Sequence, residues 1–423
     1  MASLDGTLAK VAQADAPKAA PLLIVTHVPL RKGPRGLQID DQTAAEIRQW
    51  LRHFERITYM GIAEDHAAGS SSTRWVDIDG DPDFARCRII ALPYAYRPLT
   101  MLRTMGPVHR QLREAIPQHT HLMFTIGGIL GDWPALASLE ASRQGRAFAN
   151  KVDRVEAEVL GEKAARHPSV LRRLAGAVYL PMMEQFTRFV LRRSRVSLLQ
   201  GLDVYNHYKP FCREPYVTYN THTHVADRIS GADLAQKRAA IASGRPLRIV
   251  YVGRAAPMKG PTDWLDVLDR LDSQGVPFTA TWVGDGPDLP MMSERVAGSS
   301  LSGKVHFPGF QNDREALLKT LRDSDMLMFC HKTLESPRCL IESLVSGCPL
   351  VGYGTDYSRG LVAAHGGGAF VQMNDIAGLS ETIIALHADR SELSSLVGAA
   401  ATSGLDYNED AIYGYRAGLM QKA

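Results

Sequence analysis

The sequence predicts an α/β protein built from two doubly wound parallel sheets. From Pro21 onward, short apolar runs of strand length alternate with longer amphipathic stretches. The alternation breaks at about residues 205–246, where Tyr, Asn, His, Pro and Thr are frequent, and then starts again. A chain of 423 residues is also long enough for two domains. Because strands that alternate with helices form parallel sheets covered on both faces, we expect two Rossmann-like domains.

The apolar runs of the first half are expected to be buried strands: Leu22–Thr26, Ile57–Ile62, Arg88–Leu92, Leu122–Ile126 and Val196–Gln200. The amphipathic stretches between them predict helices: Gln42–Phe54, Leu99–Ala115 and Val170–Ser194. The strands predicted in the second half are Leu247–Val252, Phe278–Val283, Val305–Pro308, Met326–Cys330 and Pro349–Tyr353. The helices predicted there are Pro261–Gln274, Arg314–Asp323 and Pro337–Ser346.

These elements divide the chain into five segments. We expect a disordered or frayed arm over 1–20, a first domain over 21–225, a linker over 226–246, a second domain over 247–405, and a final helix over 406–423 that packs back towards the first domain.

Composition narrows the class of protein. The net charge of +3 argues against a nucleic-acid binder with a basic surface, and 45% hydrophobic residues indicate a globular chain. The five cysteines favour a reducing compartment, and their spacing predicts no metal site. There is neither an apolar run of membrane-spanning length nor a secretory signal, so we expect a cytoplasmic protein.

Two candidate binding motifs follow predicted strands of the second half. Gly253 and Arg254 come directly after Leu247–Val252, and Lys259 lies five residues beyond Arg254. A guanidinium and an ammonium beside a helix start suit a diphosphate, although two surface cations on a solvated turn would give the same pattern. Gly284 opens a glycine-rich turn after the next strand, which allows close approach of a ligand but is common in other proteins too.

The third motif spans residues 335–342, after the strand Met326–Cys330. Ser336 is a suitable N-cap and Pro337 a suitable first helical residue, so a helix is predicted to begin here. The backbone amides of Arg338 and Cys339 would then be free to hold a phosphate.

Two carboxylates accompany this helix start. Glu335 precedes it and Glu342 lies just over one turn inside, where both could accept hydrogen bonds from sugar hydroxyls. Alternatively, Arg338 and Glu342 form an ordinary i,i+4 pair, and Glu335 only supplies favourable charge at the helix start.

With these motifs in this order, residues 247–371 resemble the donor-binding half of retaining glycosyltransferases of family 4, which have the GT-B fold. The matching stretches are IVYVGRAAPMKG, WVGDGP, VHFPGF and ESPRCLIESLVSGCPLVGY. The resemblance implies a donor site for a nucleoside-diphosphate sugar, UDP- or GDP-linked, with no metal and no further cofactor. It implies donor contacts from Gly253, Arg254, Lys259, Gly284, Phe310, Arg338, Cys339, Leu340 and Glu342, with Arg254 and Lys259 on the diphosphate, Glu342 on the ribose and Phe310 near the base.

The sequence departs from the family pattern at the paired glutamates. The family has seven residues between them, whereas Glu335 and Glu342 have six, and Leu334 occupies the usual first position. Either Glu335 takes the catalytic first-glutamate role through a shifted loop, or the contact with the sugar differs.

The first half of the chain is expected to bind the acceptor. Residues 29–36 partly match the family's glycine loop and are expected to form a flexible loop over the phosphates. Asp153 falls near the position of the family's histidine and is a catalytic candidate, although an Asp153–Arg154 surface pair is an equal alternative. His222 and His224 either line the cleft expected between the two domains or have a turn or packing role.

Residues 166–195 form a basic amphipathic segment. They contain seven arginines and one acid, Glu184. Such a helix either binds an anionic membrane surface or presents a solvated face. Together the observations predict a retaining hexosyltransferase of bacterial polysaccharide or glycolipid type, cytoplasmic or peripheral at the inner face of the membrane, with a saccharide or lipid-linked acceptor and no nucleic-acid partner. The alternatives are a sugar-nucleotide epimerase or hydrolase, or a non-catalytic scaffold that binds nucleotide sugar.

Overall fold

The computed structural model describes residues 20–33, 35–64, 74–165 and 168–422. The arm expected over 1–20 lies outside the described residues, except for Ala20. The chain divides into two compact units. The amino-terminal unit comprises the described residues up to Tyr219 together with those from Asp410 onward, and the carboxyl-terminal unit spans Asn220–Glu409.

The amino-terminal unit contains a parallel sheet with two short antiparallel additions. Its strands are β1 (Leu22–Gly33), β2 (Gly36–Asp40), β3 (Ile57–Ala63), β4 (Trp75–Asp77), β5 (Cys87–Leu92), β6 (His121–Thr125), β7 (Ala149–Val152), β8 (Val196–Gln200) and β9 (Glu214–Thr218). Its helices are α1 (Asp41–His53), α2 (Pro98–Ala115), α3 (Trp133–Arg143), α4 (Glu156–Ala165), α5 (Val170–Leu191) and α6 (Gly201–Tyr208). The parallel strands run in the order β5-β3-β1-β6-β7-β8-β9.

The apolar run of β1 is explained by burial on both faces. Leu22 and Ile24 pack into one core cluster with Trp50 of α1, whereas Leu23 and Val25 pack into another with Leu112 of α2. Successive side chains of a strand point to opposite faces, so a parallel strand between two helical layers must be apolar throughout.

Residues 29–36 are not the flexible loop that the sequence suggested. β1 continues to Gly33 and pairs antiparallel with β2, and Arg31 donates a 2.9 Å hydrogen bond to the Gln38 side chain. The Arg31 guanidinium also lies over the Trp75 ring of β4. The expectation of a flexible phosphate loop is wrong for the described residues of this segment, because Arg31–Gly33 pair with Gly36–Gln38 across two strands.

The carboxyl-terminal unit contains a second parallel sheet, of order β12-β11-β10-β13-β14-β15. Its strands are β10 (Leu247–Val252), β11 (Phe278–Val283), β12 (Val305–Gly309), β13 (Met326–Phe329), β14 (Leu350–Tyr353) and β15 (Gly368–Val371). Its helices are α7 (Gly231–Ala242), α8 (Pro261–Ser273), α9 (Leu289–Ala297), α10 (Arg314–Asp323), α11 (Arg338–Val345), α12 (Asp356–Leu361), α13 (Ile376–Ala388) and α14 (Arg390–Gly404). The prediction of two doubly wound α/β domains is confirmed.

The segments expected as linker and final helix both pack on a core. Within 226–246, α7 belongs to the carboxyl-terminal unit, where Lys237 donates a 2.7 Å hydrogen bond to the Gly347 carbonyl. The last helix, α15 (Glu409–Gln421), buries Tyr413 and Met420 in the core cluster that contains Trp50.

Within the described ranges, no helix is long and apolar enough to cross a lipid bilayer. All five cysteines are free thiols.

Gly260 joins the loops that follow β10 and β13. It adopts φ +64°, and a Cβ at this position would lie 2.1 Å from the Cys330 carbonyl oxygen. Gly275 is a matched control, because its φ is +70° and its Cβ position has no neighbour within 4 Å.

We predict that Gly275→Ala lowers the free energy of unfolding by about 1 kcal/mol, the cost of a left-handed backbone alone. Gly260→Ala adds the clash with Cys330 and is expected to cost about 3 kcal/mol or more. Urea denaturation of both variants measures the difference. Equal losses of unfolding free energy in the two variants would show that the close approach of Gly260 to Cys330 does not affect stability.

Candidate functional site

The candidate site lies where the strand order of the carboxyl-terminal sheet reverses. The chain begins this sheet in the middle, at β10, and continues outwards on one side with β11 and on the other with β13. Open α/β sheets bind ligands in the crevice at the carboxyl ends of such neighbouring strands. The loops after β10 and β13 carry the cations and carboxylates that the sequence singled out.

Glycines allow the loops of this edge to pack closely. Gly284 has φ +145°, and a Cβ there would lie 2.1 Å from the Gly253 carbonyl oxygen. The Gly253 amide in turn donates to the Val283 carbonyl at 2.9 Å. Gly253 and Gly284 therefore shape the floor of the site through their backbones.

An ion pair joins the two loops at the switch point. The Lys259 Nζ lies 2.5 Å from the Glu335 Oε1, and both side chains are largely buried, at 13% and 19% exposure. Leu334, at the position usual for the first glutamate, is instead exposed. The structure thus turns the Glu335 carboxylate, not Leu334, towards Lys259.

Arg254 is exposed at the start of the same loop. In the described part of the chain no carboxylate pairs with it. Its guanidinium is therefore available to an incoming anion, whereas Lys259 must first exchange or share its Glu335 partner.

Helix α11 begins one residue later than predicted. Pro337 is the N-cap, with extended backbone (φ −72°, ψ 127°), and Arg338 is the first helical residue. The expectation that Ser336 caps the helix is wrong, because proline itself takes the extended conformation that precedes it. The first-turn amides of Arg338 and Cys339 still have no intrahelical acceptors, as at any helix start.

Two residues of this helix contribute no reactive side chain. Leu340 is buried in the core, and its amide donates to the Pro337 carbonyl at 3.3 Å. Burial raises the pKa of the Cys339 thiol to about 12, so it stays protonated near neutral pH.

Glu342 has a partner that sequence reasoning missed. The Arg314 guanidinium lies 3.4 Å from the Glu342 Oε1 and donates a 2.7 Å hydrogen bond to the Asp227 carboxylate. Burial would raise the pKa of Asp227, but the bonds from Arg314 and from the His224 amide hold it below its ordinary value. Asp227 thus holds Arg314 in place, and Arg314 in turn contacts the Glu342 carboxylate.

His331 is the second residue that the sequence did not reveal. It is buried at the end of β13, and its Nε2 lies 2.8 Å from the Tyr251 hydroxyl. Burial, aided by the nearby Lys259 charge, lowers its pKa well below the ordinary value, so the ring is neutral. A neutral ring adds no second cation beside Lys259.

Phe310 follows β12 and is 52% exposed. An exposed aromatic face at the carboxyl edge of the sheet is available for stacking on a planar ring.

The amino-terminal unit places Asp153, whose side chain is partly exposed, beside the buried Lys151. The Lys151 Nζ lies 3.5 Å from the Asp153 carboxylate and 3.6 Å from that of Glu46. Burial would raise the pKa of Asp153, but the charges of Lys151, His27 and Arg416 hold it below its ordinary value. Arg154 pairs instead with Glu156, so the Asp153–Arg154 surface pair is not formed.

A glycine pair lies after β6 rather than after β1. The amides of Gly127 and Gly128 donate to the Asp132 carboxylate at 2.7 and 2.5 Å, and Asp132 also caps α3. β1 and β6 are the neighbours at which the order of this sheet reverses, so the pair lies at its switch point.

His222 and His224 lie in the carboxyl-terminal unit and face Glu409. The His222 Nδ1 is 2.7 Å from the Glu409 carboxylate, and the His224 ring is 3.9 Å from it. These contacts, together with the Thr223 hydroxyl bond to the Tyr407 carbonyl, hold the ends of the unit together.

Residues 235–403 match the family model described as glycosyl transferases group 1. The chain is 28% identical over 183 residues to the 2-deoxystreptamine N-acetyl-D-glucosaminyltransferase of Streptomyces fradiae. That match covers 42% of this chain and 43% of the relative, so the chain spans less than half the length of this relative.

Solved structures show the same fold over almost the whole chain. Alr3699/HepE of Anabaena, crystallised with UDP, superposes with a TM-score of 0.65 at 14% identity, covering 95% of this chain and 100% of that one. WaaG, a glycosyltransferase involved in lipopolysaccharide biosynthesis, superposes with a TM-score of 0.61 at 12% identity and the same coverage. The predicted GT-B architecture of two Rossmann-like domains is confirmed.

Substitutions of Lys259 and Glu335 are predicted to change the affinity for a diphosphate in opposite directions. Lys259→Met is expected to weaken binding of inorganic pyrophosphate about tenfold or more, because it removes a charge-assisted contact. Glu335→Gln is expected to strengthen binding several-fold, since it frees Lys259 and removes a competing negative charge.

Isothermal titration with pyrophosphate measures both effects. Lys319→Met is the control, because Lys319 is an exposed lysine paired with Asp323 on α10. Unchanged affinity in Lys259→Met, or weaker binding in Glu335→Gln, would contradict the arrangement described.

Proposed function

We propose that this protein is a retaining glycosyltransferase that moves a sugar from a nucleoside-diphosphate sugar to a hydroxyl of a saccharide or lipid-linked acceptor. The observation that carries the proposal is the Lys259–Glu335 ion pair just before α11 at the switch point of the carboxyl-terminal sheet, with the exposed Arg254 on the same loop as Lys259. The group 1 match over 235–403 supports the same chemistry.

The donor is proposed to bind through its charges and its ribose. Arg254 and Lys259 would hold the diphosphate, with the α11 amides of Arg338 and Cys339 on its oxygens. Glu342 would accept hydrogen bonds from the ribose hydroxyls while the contact with Arg314 orients its carboxylate. Phe310 would lie against the base.

Transfer breaks the bond between the anomeric carbon and the phosphate oxygen and forms one to the acceptor oxygen. Negative charge develops on the departing diphosphate, and preorganised cations and amides stabilise such charge strongly in a partly buried site. Attack on the face that the diphosphate leaves retains the configuration, and the acceptor proton passes to the leaving oxygen. These charges come from the chain itself, so the proposal includes neither a metal nor a cofactor besides the donor.

Two carboxylates have proposed roles towards the substrates. Glu335, which pairs with Lys259, would contact the donor sugar. Asp153, held ionised by Lys151, His27 and Arg416, is the candidate of the amino-terminal unit for orienting the acceptor hydroxyl.

UDP is the first nucleotide to test, because the HepE crystals contain UDP, and GDP is the second. We propose that the protein works in the cytoplasm, where its five thiols stay reduced, and at the inner face of the membrane through the basic segment 166–195. Arg166 and His167 of this segment lie outside the described residues.

We predict that Arg254→Ala and Lys259→Ala each lower turnover about a hundredfold or more, because each removes a charge that stabilises the leaving diphosphate. Release of nucleoside diphosphate, measured with and without candidate acceptors, gives the rate. Lys319→Ala, which removes an exposed lysine of α10, is expected to leave the rate unchanged.

The same assay separates the alternatives. Release of diphosphate or of an altered sugar nucleotide that no acceptor accelerates would indicate a hydrolase or an epimerase. Binding of nucleotide without turnover on any acceptor would indicate a scaffold. Near-normal rates in both alanine variants would contradict the proposed site.

A further inference from the structure

Exposed apolar side chains are concentrated on two segments of the amino-terminal unit. Seventeen large apolar side chains are exposed in the described part of the chain; five lie between residues 94 and 105 and six between 170 and 189. Leu99 and Leu102 of α2 are 70% and 68% exposed, and Leu171 of α5 is 79% exposed. Soluble monomers seldom expose apolar residues in such contiguous groups, which therefore indicate an interaction surface.

Both segments lie at the carboxyl edge of the sheet. Helix α2 starts there, because it follows the parallel strand β5. Helix α5 runs back towards the start of β8 and is about 33 Å long, whereas β8 spans about 17 Å. The first turns of α5 therefore extend beyond the carboxyl edge of the sheet.

The loop after β6 connects the two helices at this edge. The Gly131 amide lies 3.4 Å from the Met101 sulfur of α2, and the Leu130 amide donates to the Tyr179 hydroxyl of α5 at 3.4 Å. This partly buried loop therefore links the exposed apolar residues of α2 to those of α5, and we call these residues the apolar edge: Tyr94, Tyr96, Leu99, Leu102, Met105, Leu171, Leu174, Val178 and Met182.

The two segments that carry the apolar edge are basic, and the acids that face it, Glu156 and Asp132 near Tyr96, come from other elements. Residues 94–113 contain four arginines and no Asp or Glu, and residues 164–183 contain three arginines and no Asp or Glu. All 45 acidic residues of the chain therefore lie outside these two segments. Arg97, Arg103 and Arg173 flank the exposed leucines and have exposed side chains.

We propose that the apolar edge is a two-helix surface that inserts into an anionic lipid bilayer. Leucines enter the acyl boundary while arginines of both helices remain at the headgroups, as in interfacial amphipathic helices. A second copy of this chain fits less well, because its arginines would meet those of the first. The pairing of α2 with α5 distinguishes this surface from a single basic helix.

The position of the apolar edge also bears on the acceptor. It borders the Gly127–Gly128 loop at the switch point of the amino-terminal sheet. A lipid-linked acceptor would reach that loop directly from the bilayer; this part of the inference rests on the proposed function, whereas lipid binding itself does not.

Co-sedimentation of the full chain with vesicles tests the proposal. Wild type is expected to pellet with phosphatidylcholine–phosphatidylglycerol vesicles at low salt, and less with phosphatidylcholine alone. Leu99→Gln/Leu102→Gln and Leu171→Gln/Leu174→Gln are each expected to lower the partition coefficient about tenfold or more, because each removes two inserting side chains. The matched control, Met291→Gln/Leu405→Gln, changes two exposed apolar residues of the other unit and is expected to bind like wild type.

Three outcomes would overturn the proposal. The first is that wild type does not bind anionic vesicles. The second is that only the α5 variant loses vesicle binding. The third is that wild type pellets without vesicles and the leucine changes abolish this, which would indicate self-association. Nucleoside diphosphate titration of the same variants keeps the two proposals apart. Vesicle binding without nucleotide binding would support the lipid-binding surface and contradict the proposed glycosyltransferase function.

Discussion

The close approach of Gly260 to the Cys330 carbonyl is the constraint on which the candidate site depends. It brings the loop after β10 against the loop after β13, so that residues 76 positions apart in sequence, Lys259 and Glu335, form an ion pair. A side chain at position 260 would separate these loops and move the cations away from the start of α11. The chemistry of the site therefore rests on the absence of one Cβ atom.

The charges of the resting site are paired except that of the exposed Arg254, and this shapes how the site can work. Lys259 is neutralised by Glu335, His331 is kept uncharged by burial, and Arg314 is occupied by Asp227 and Glu342. Under the proposed function, a diphosphate would bring the negative charge that shifts Lys259 from its carboxylate partner. Glu335 would then be released in the presence of the donor sugar, which would couple anion binding to the availability of a hydrogen-bond acceptor.

The sequence predicted what local pattern controls and missed what distant contacts decide. Parallel strands buried on both faces are continuous apolar runs, so β10 and β11 were predicted to the residue, whereas β7 was missed because it contains the buried polar residues Asn150 and Lys151. The candidate cations and glutamates came from motifs after strands and from family resemblance. Arg314 carried no such signal, because its partners lie 87 and 28 residues away, and the hairpin after β1 contains the proline, arginine and glycine typical of a loop.

The central claim is that the carboxyl-terminal unit binds a nucleoside diphosphate through Glu342 and the neighbouring cations. The most direct test is thermal unfolding of wild type and Glu342→Ala with UDP, GDP, ADP, CMP and their sugar conjugates. A ligand at about 100 times its Kd stabilises the protein by about 2.7 kcal/mol, which gives a clear rise in midpoint. We expect one diphosphate to raise the midpoint of wild type and to lose most of that effect in Glu342→Ala. No shift with any nucleotide, or an equal shift in both proteins, would contradict the account.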